Sequence, residues 1–137
     1  MRVALPSLFR RVVNRARRPL TNMDSLPAVD IDQGKFKYVQ ILVKEGDKQR
    51  YLVRGYKWAS YHADVFTHCE ENELRPLKKQ GAKISWSCPG GGRIVHDTKD
   101  KNIQIYGYSQ SYGRPDHSIT CELIKVSDNP NVLGTLN

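Results

Sequence analysis

The stretch Phe36-Lys-Tyr-Val-Gln-Ile-Leu-Val-Lys-Glu-Gly-Asp-Lys-Gln-Arg-Tyr-Leu-Val-Arg54 decides the fold. Residues 36–43 are rich in β-branched and aromatic side chains and predict a strand. Glu45-Gly-Asp-Lys48 supplies a turn, and residues 49–54 return as a second strand, so the stretch reads as a hairpin. Gly55 is expected to end it. Tyr56-Lys-Trp-Ala-Ser-Tyr-His-Ala-Asp64 then leads into a helix. Ser60 is the expected N-cap, its hydroxyl accepting from the amides of His62 or Ala63. Asp64 suits the positive end of the helix dipole. The helix is expected to run from Tyr61 into Glu73, with Tyr61, Val65, Phe66 and Cys69 facing inward. Pro76 ends it or starts a short new turn.

Further along, Ala82 to Ser87 predicts a strand, and Cys88-Pro-Gly-Gly-Gly92 a loop. Arg93–His96 and Ile103–Tyr108 predict a second hairpin around the polar turn 97–102. Ser109-Gln-Ser-Tyr-Gly-Arg-Pro115 is a loop of small and polar residues. Asp116 can cap a second helix, His117 to Val126, with Ile119, Leu123 and Val126 inward. Residues 131–136 suit a short edge strand. Met23 to Asp32 reads as a linker with an acidic end. The sum is a mixed α+β (α/β) domain over residues 23–137. It has a single central mixed β-sheet of five or six strands flanked by two α-helices.

Charge divides the chain of 137 residues in two. The net charge is +8, but residues 1–22 carry six arginines and no acid, leaving +2 for residues 23–137. The body therefore lacks the footprint of a nucleic-acid-binding domain. Residues 1–22 place Leu5, Leu8, Phe9, Val12, Val13 and Ala16 at helical spacing among those arginines. Arginine-rich, acid-free and amphipathic is the composition of a mitochondrial transit peptide; a basic tail without structure is the plainer account. No run of eighteen apolar residues predicts a membrane span. Three widely spaced cysteines, Cys69, Cys88 and Cys121, suit reduced thiols in a reducing compartment.

The residues that could carry chemistry point to an anion. His62 falls in the first turn of a helix, where free amides and the dipole favour a phosphate. Its imidazole titrates near neutral pH and could deprotonate water. On spacing alone, a packed or surface histidine is the more economical account. The Ser109–Gly113 loop offers hydroxyls and amides to the same kind of ligand. Lys37, Arg54 and Arg93 lie within or beside apolar strands and could turn toward a phosphate.

His68-Cys69-Glu-Glu-Asn-Glu-Leu-Arg75 matches the HCx5R pattern of cysteine-dependent phosphatases, but three glutamates and a helical context exclude a phosphate cradle there. Gly90-Gly-Gly92 lacks the Lys-Ser/Thr of a P-loop. Histidines and cysteines show no metal-ligand spacing.

Taken together, Val29-Asp-Ile-Asp32, Phe36-Lys-Tyr-Val39, Val53-Arg-Gly-Tyr-Lys-Trp-Ala-Ser-Tyr-His-Ala-Asp64, Gly90-Gly-Gly-Arg-Ile94 and Ile105-Tyr-Gly-Tyr-Ser109 resemble the Janus/Ocnus family over residues 29 to about 126. The resemblance implies hydrolysis of phosphohistidine in proteins without metal or other cofactor. It puts His62 on the family's catalytic position, a proton acceptor that activates water; direct attack by His62 through a transient phosphoenzyme is the other mechanism. Lys37 falls on a substrate-binding lysine, and Ser109, Gln110 and Ser111 on the phosphate-binding loop. The Ala63 amide and the side chains of Arg54 and Arg93 match further site positions.

The expected partners are phosphohistidine-containing proteins, with a monomeric, cytoplasmic protein, or a mitochondrial matrix one if residues 1–22 direct import. A non-catalytic phosphate- or phosphoprotein-binding module is the alternative function. Three departures stand out: Gln110 replaces an apolar residue, the Glu70–Lys79 region is several residues longer, and the basic extension is absent from short cytosolic forms.

Overall fold

A computed structural model describes residues 22–127 and 135–136. The amphipathic segment expected over residues 1–22 lies outside these apart from Asn22, as does most of the edge strand expected over 131–136. Among the described residues six strands form one mixed sheet: β1 (Val29–Ile31), β2 (Gly34–Glu45), β3 (Lys48–Tyr56), β4 (Ile84–Asp97), β5 (Asn102–Tyr106) and β6 (Thr135–Leu136). Their order is β1-β3-β2-β4-β5-β6, with β1/β3 and β5/β6 parallel and the others antiparallel. The helices are α1 (His62–Cys69), continued by a π-helical turn (Glu70–Leu74) into α2 (Arg75–Lys79), and α3 (His117–Lys125). Among the described residues no helix is long and apolar enough to cross a membrane.

β2 explains the layering. Its side chains alternate between faces, as period two requires. Val39, Ile41 and Val43 pack with Leu52, Val65, Cys69, Leu74 and Leu77 beneath α1 and α2. Phe36 and Tyr38 pack with Val53, Ile94, Ile105 and Ile124 beneath α3. A strand covered on both faces carries apolar residues almost continuously, which is why residues 36–43 read so plainly as a strand.

Several expectations are corrected. Residues 23–32 are more than a linker: Met23–Ser25 form a 3-10 turn, and Val29–Ile31 pair with Val53–Gly55. Gly55 does not end β3. It lies inside the strand, where a Cβ would come within 2.6 Å of the Phe36 ring. Residues 88–92 are not a loop but part of β4. Its register with β2 shifts between Gln40 and Leu42, so Cys88 and Pro89 sit in a bulge where proline's missing N–H is tolerated. The α3 stripe is rotated: Thr120 and Ile124 are buried and Val126 is exposed. Thr120 faces inward because its hydroxyl meets the Tyr38 hydroxyl at 3.0 Å and accepts from Gln40 Nε2 at 2.9 Å.

Candidate active site

The N-terminus of α1 is fixed by its own backbone. Tyr61, not Ser60, is the N-cap: its carbonyl accepts from the Asp64 amide at 3.0 Å, and Asp64 Oδ2 accepts from the Tyr61 amide at 2.9 Å. Tyr61 thus precedes the helix and belongs to no inner stripe; it is 68% exposed. Ser60 serves through its carbonyl, which accepts from Lys37 Nζ at 2.6 Å. The amides of His62 and Ala63, in the first turn, have no intrahelical acceptor.

His62 leans on β4. A Cβ on Gly91 would meet His62 Cδ2 at 2.6 Å and the Tyr38 carbonyl at 2.7 Å, so the ring lies where only a glycine leaves room. Its Nε2 is 2.9 Å from the Gly92 carbonyl. A carbonyl can only accept, so Nε2 carries the proton and Nδ1 of the neutral ring keeps its lone pair. Burial lowers the His62 pKa below its usual 6.5, opposed by the Gly92 bond and assisted by the charges of Lys37 and Arg93.

His62, Ala63, Lys37, Arg93, Ser109, Gln110 and Ser111 line one cleft of about 370 Å³. Lys37 and Arg93 are cross-strand partners of β2 and β4, so both project from the same face. The loop closes on itself: Ser109 and Gly113 exchange backbone bonds, and the Ser109 hydroxyl accepts from the Tyr112 amide. The Gly113 carbonyl also accepts from the Gly91 amide, tying the loop to the strand beneath His62. Among the described residues no acceptor takes the amides of Gln110 and Ser111. The cleft therefore joins unpaired amides, two cations and one imidazole lone pair, which suits a phosphoryl dianion beside a base.

Arg54 is the exception among the expected site residues. It is 0% exposed and lies elsewhere on the same face, under the π-helical turn. Its Nε and one terminal nitrogen bind Glu73 at 2.8 and 2.7 Å, and its other bonds go to the carbonyls of Pro27, Ala28 and Val53. With every donor occupied it has none for a phosphate. Its place in the strand could not reveal this, because Glu73 comes from the lengthened helical region.

The sequence also hid Tyr61 and Tyr108, two exposed rings on the cleft wall, and Gly91, the strand glycine under His62. A run of three glycines within a strand is the signal for close backbone approach. Cys69 and Cys88 stay out of the site. Cys69 is buried, and Cys88 donates to the Gly90 carbonyl with its pKa pushed up to about 12 by burial. Among the described residues no group of three His, Cys, Asp or Glu side chains could hold a metal ion.

The sequence pattern of the Janus/Ocnus family (Ocnus) matches residues 23–131. The chain belongs to the Janus/Ocnus family. Relatives include the 14 kDa phosphohistidine phosphatase of Sus scrofa, 44% identical over 76% of this chain and 84% of its own length. The protein of the same name from Homo sapiens is 44% identical over 73% of this chain and 82% of its own length. The sex-regulated protein janus-A of Drosophila melanogaster is 41% identical over 72% and 70%. The Janus/Ocnus match covers every residue of the cleft.

One prediction follows from the seat of His62. Gly91→Ala forces the imidazole away from Gly92, and a misplacement near 1 Å costs on the order of 10²-fold in rate. The Tyr38 carbonyl in the neighbouring strand must give way as well, so the expected outcome is a comparable fall in kcat/KM together with a loss of stability, checked by kinetics beside urea unfolding.

Proposed function

We propose that this Janus/Ocnus protein hydrolyses N-phosphorylated histidine in proteins, with His62 Nδ1 as the general base. The observation that supports this most is the bond from His62 Nε2–H to Gly92, which leaves Nδ1 as the free acceptor inside a cleft of amides and cations. The names of the relatives at 44% identity agree with it.

The chemistry balances as follows. The amides of Ala63, Gln110 and Ser111, with Lys37 and Arg93, hold the phosphoryl oxygens. Water attacks phosphorus as Nδ1 takes its proton. The P–N bond breaks, the leaving imidazole nitrogen takes a proton from solvent, and His62 returns its own proton to solvent. The products are inorganic phosphate and histidine. The P–N bond is labile, so positioning and charge stabilisation carry most of the work.

The test is a chelator-treated sample of the intact protein with a phosphohistidine peptide. Release of inorganic phosphate above the no-protein rate supports hydrolysis. Phosphate or peptide binding without release favours the non-catalytic binding module.

The base must be neutral to act, so activity is expected to be flat near neutral pH and to fall as pH drops through the lowered His62 pKa. The acid limb therefore lies below 6.5. Removing one of the cations that lower that pKa, as in Lys37→Met, moves it upward. An NMR titration of the His62 ring protons checks both statements free of substrate ionisation.

A further inference from the structure

A second cleft adjoins the catalytic one, and Ala63 lines both. Its character is the opposite. Where the catalytic cleft presents Lys37 and Arg93, this one presents Asp64 and Glu71, with Trp58 as a wall and His68 and Thr67 beside them. Trp58 stacks on Tyr56 with ring centroids 5.4 Å apart, yet remains 56% exposed. The Asp64 Oδ2 bond to the Tyr61 amide leaves its other oxygen uncommitted, and Glu71 has no ion-pair partner among the described residues. His68 packs against Trp58 at 5.0 Å, and its buried Nδ1 has no hydrogen-bond partner among the described residues.

We infer that this cleft is a substrate subsite that takes an arginine side chain close in sequence to the phosphohistidine, an inference that rests on the hydrolytic function proposed above. A guanidinium matches each wall. Its plane stacks on an indole face, and its donors can serve the two carboxylates together. An apolar side chain would desolvate the carboxylates without replacing their bonds, and an anion would be repelled. Polypeptide advances about 3.5 Å per residue when extended, so a residue one to three positions from the phosphohistidine reaches the neighbouring cleft. The two clefts thus form a bipolar groove, with the phosphoryl group at the cationic end and the arginine at the acidic one.

The test uses pairs of phosphohistidine peptides identical except for arginine or its neutral isostere citrulline. The substituted residue is walked from three positions before to three after the phosphohistidine. Small-molecule phosphoramidate is the control substrate. Wild-type protein is expected to favour arginine at one or more positions by about three- to ten-fold in kcat/KM, the range for an exposed cation–π contact with ion pairs. Glu71→Lys, an exposed change, is expected to abolish or invert that preference, and Trp58→Leu to weaken it. Phosphoramidate turnover stays at the wild-type rate in both.

Equal kcat/KM for arginine and citrulline at every position, with phosphoramidate still hydrolysed, overturns the subsite and leaves the hydrolytic function standing. A preference that survives both substitutions also overturns it. Failure to hydrolyse even phosphoramidate removes the function, and the subsite falls with it.

Discussion

Replacing His62 with alanine is expected to lower kcat for phosphohistidine hydrolysis by about 10²–10⁴-fold, the range for a positioned general base. The affinity for inorganic phosphate should change by only a few-fold. This split follows from how the site is built. In the function we propose, the phosphoryl group is held by the Ala63 amide, the amides of Gln110 and Ser111, and two cations on strands β2 and β4. None of these depends on the imidazole: the amides follow from the cap at Tyr61 and the closed Ser109–Gly113 turn. Steady-state kinetics beside a phosphate titration checks the split. A loss confined to KM would mean that His62 binds substrate and moves no proton.

Glu73→Ala is expected to destabilise the fold by about 3–5 kcal/mol, the usual consequence of stranding one partner of a buried ion pair. Arg54 is fully buried, and Glu73 supplies two of its bonds. Burial alone would push the Glu73 carboxyl up, but the Arg54 hydrogen bonds and charge outweigh it and hold the carboxyl below its ordinary range. The double variant Arg54→Met/Glu73→Leu removes both charges and is expected to recover most of the loss. Urea unfolding of the wild type, the single and the double variant measures this. Similar destabilisation in the single and double variants would show that packing, not the stranded charge, sets the cost.

The contrast between His62 and Arg54 shows which parts of the molecule the sequence makes legible. The hairpin over β2 and β3 depends on local pattern and a Gly46 turn, and the cap of α3 depends on Asp116 bonding an amide two residues on. Such signals travel over a few residues and can be read directly. The placement of Lys37 beside Arg93 depends on strand register, and the role of Gly91 on a helix crossing behind it. Arg54 depends on the π-helical turn bringing Glu73 over β3. Those relations join residues far apart in the chain, and one sequence carries no record of them. The β4 glycines misled for the same reason: glycine usually breaks a strand, and only the packed neighbours explain why three are needed here.

The most direct measurement is a ³¹P NMR time course of a phosphohistidine peptide with wild-type protein and, in parallel, with His62→Ala, both in the presence of chelator. The expected result is that the P–N resonance is replaced by inorganic phosphate in the wild-type sample, while in the variant it decays close to the rate seen without protein. Decay at the same rate in both samples would contradict the assignment of this cleft, and of His62, to phosphohistidine hydrolysis.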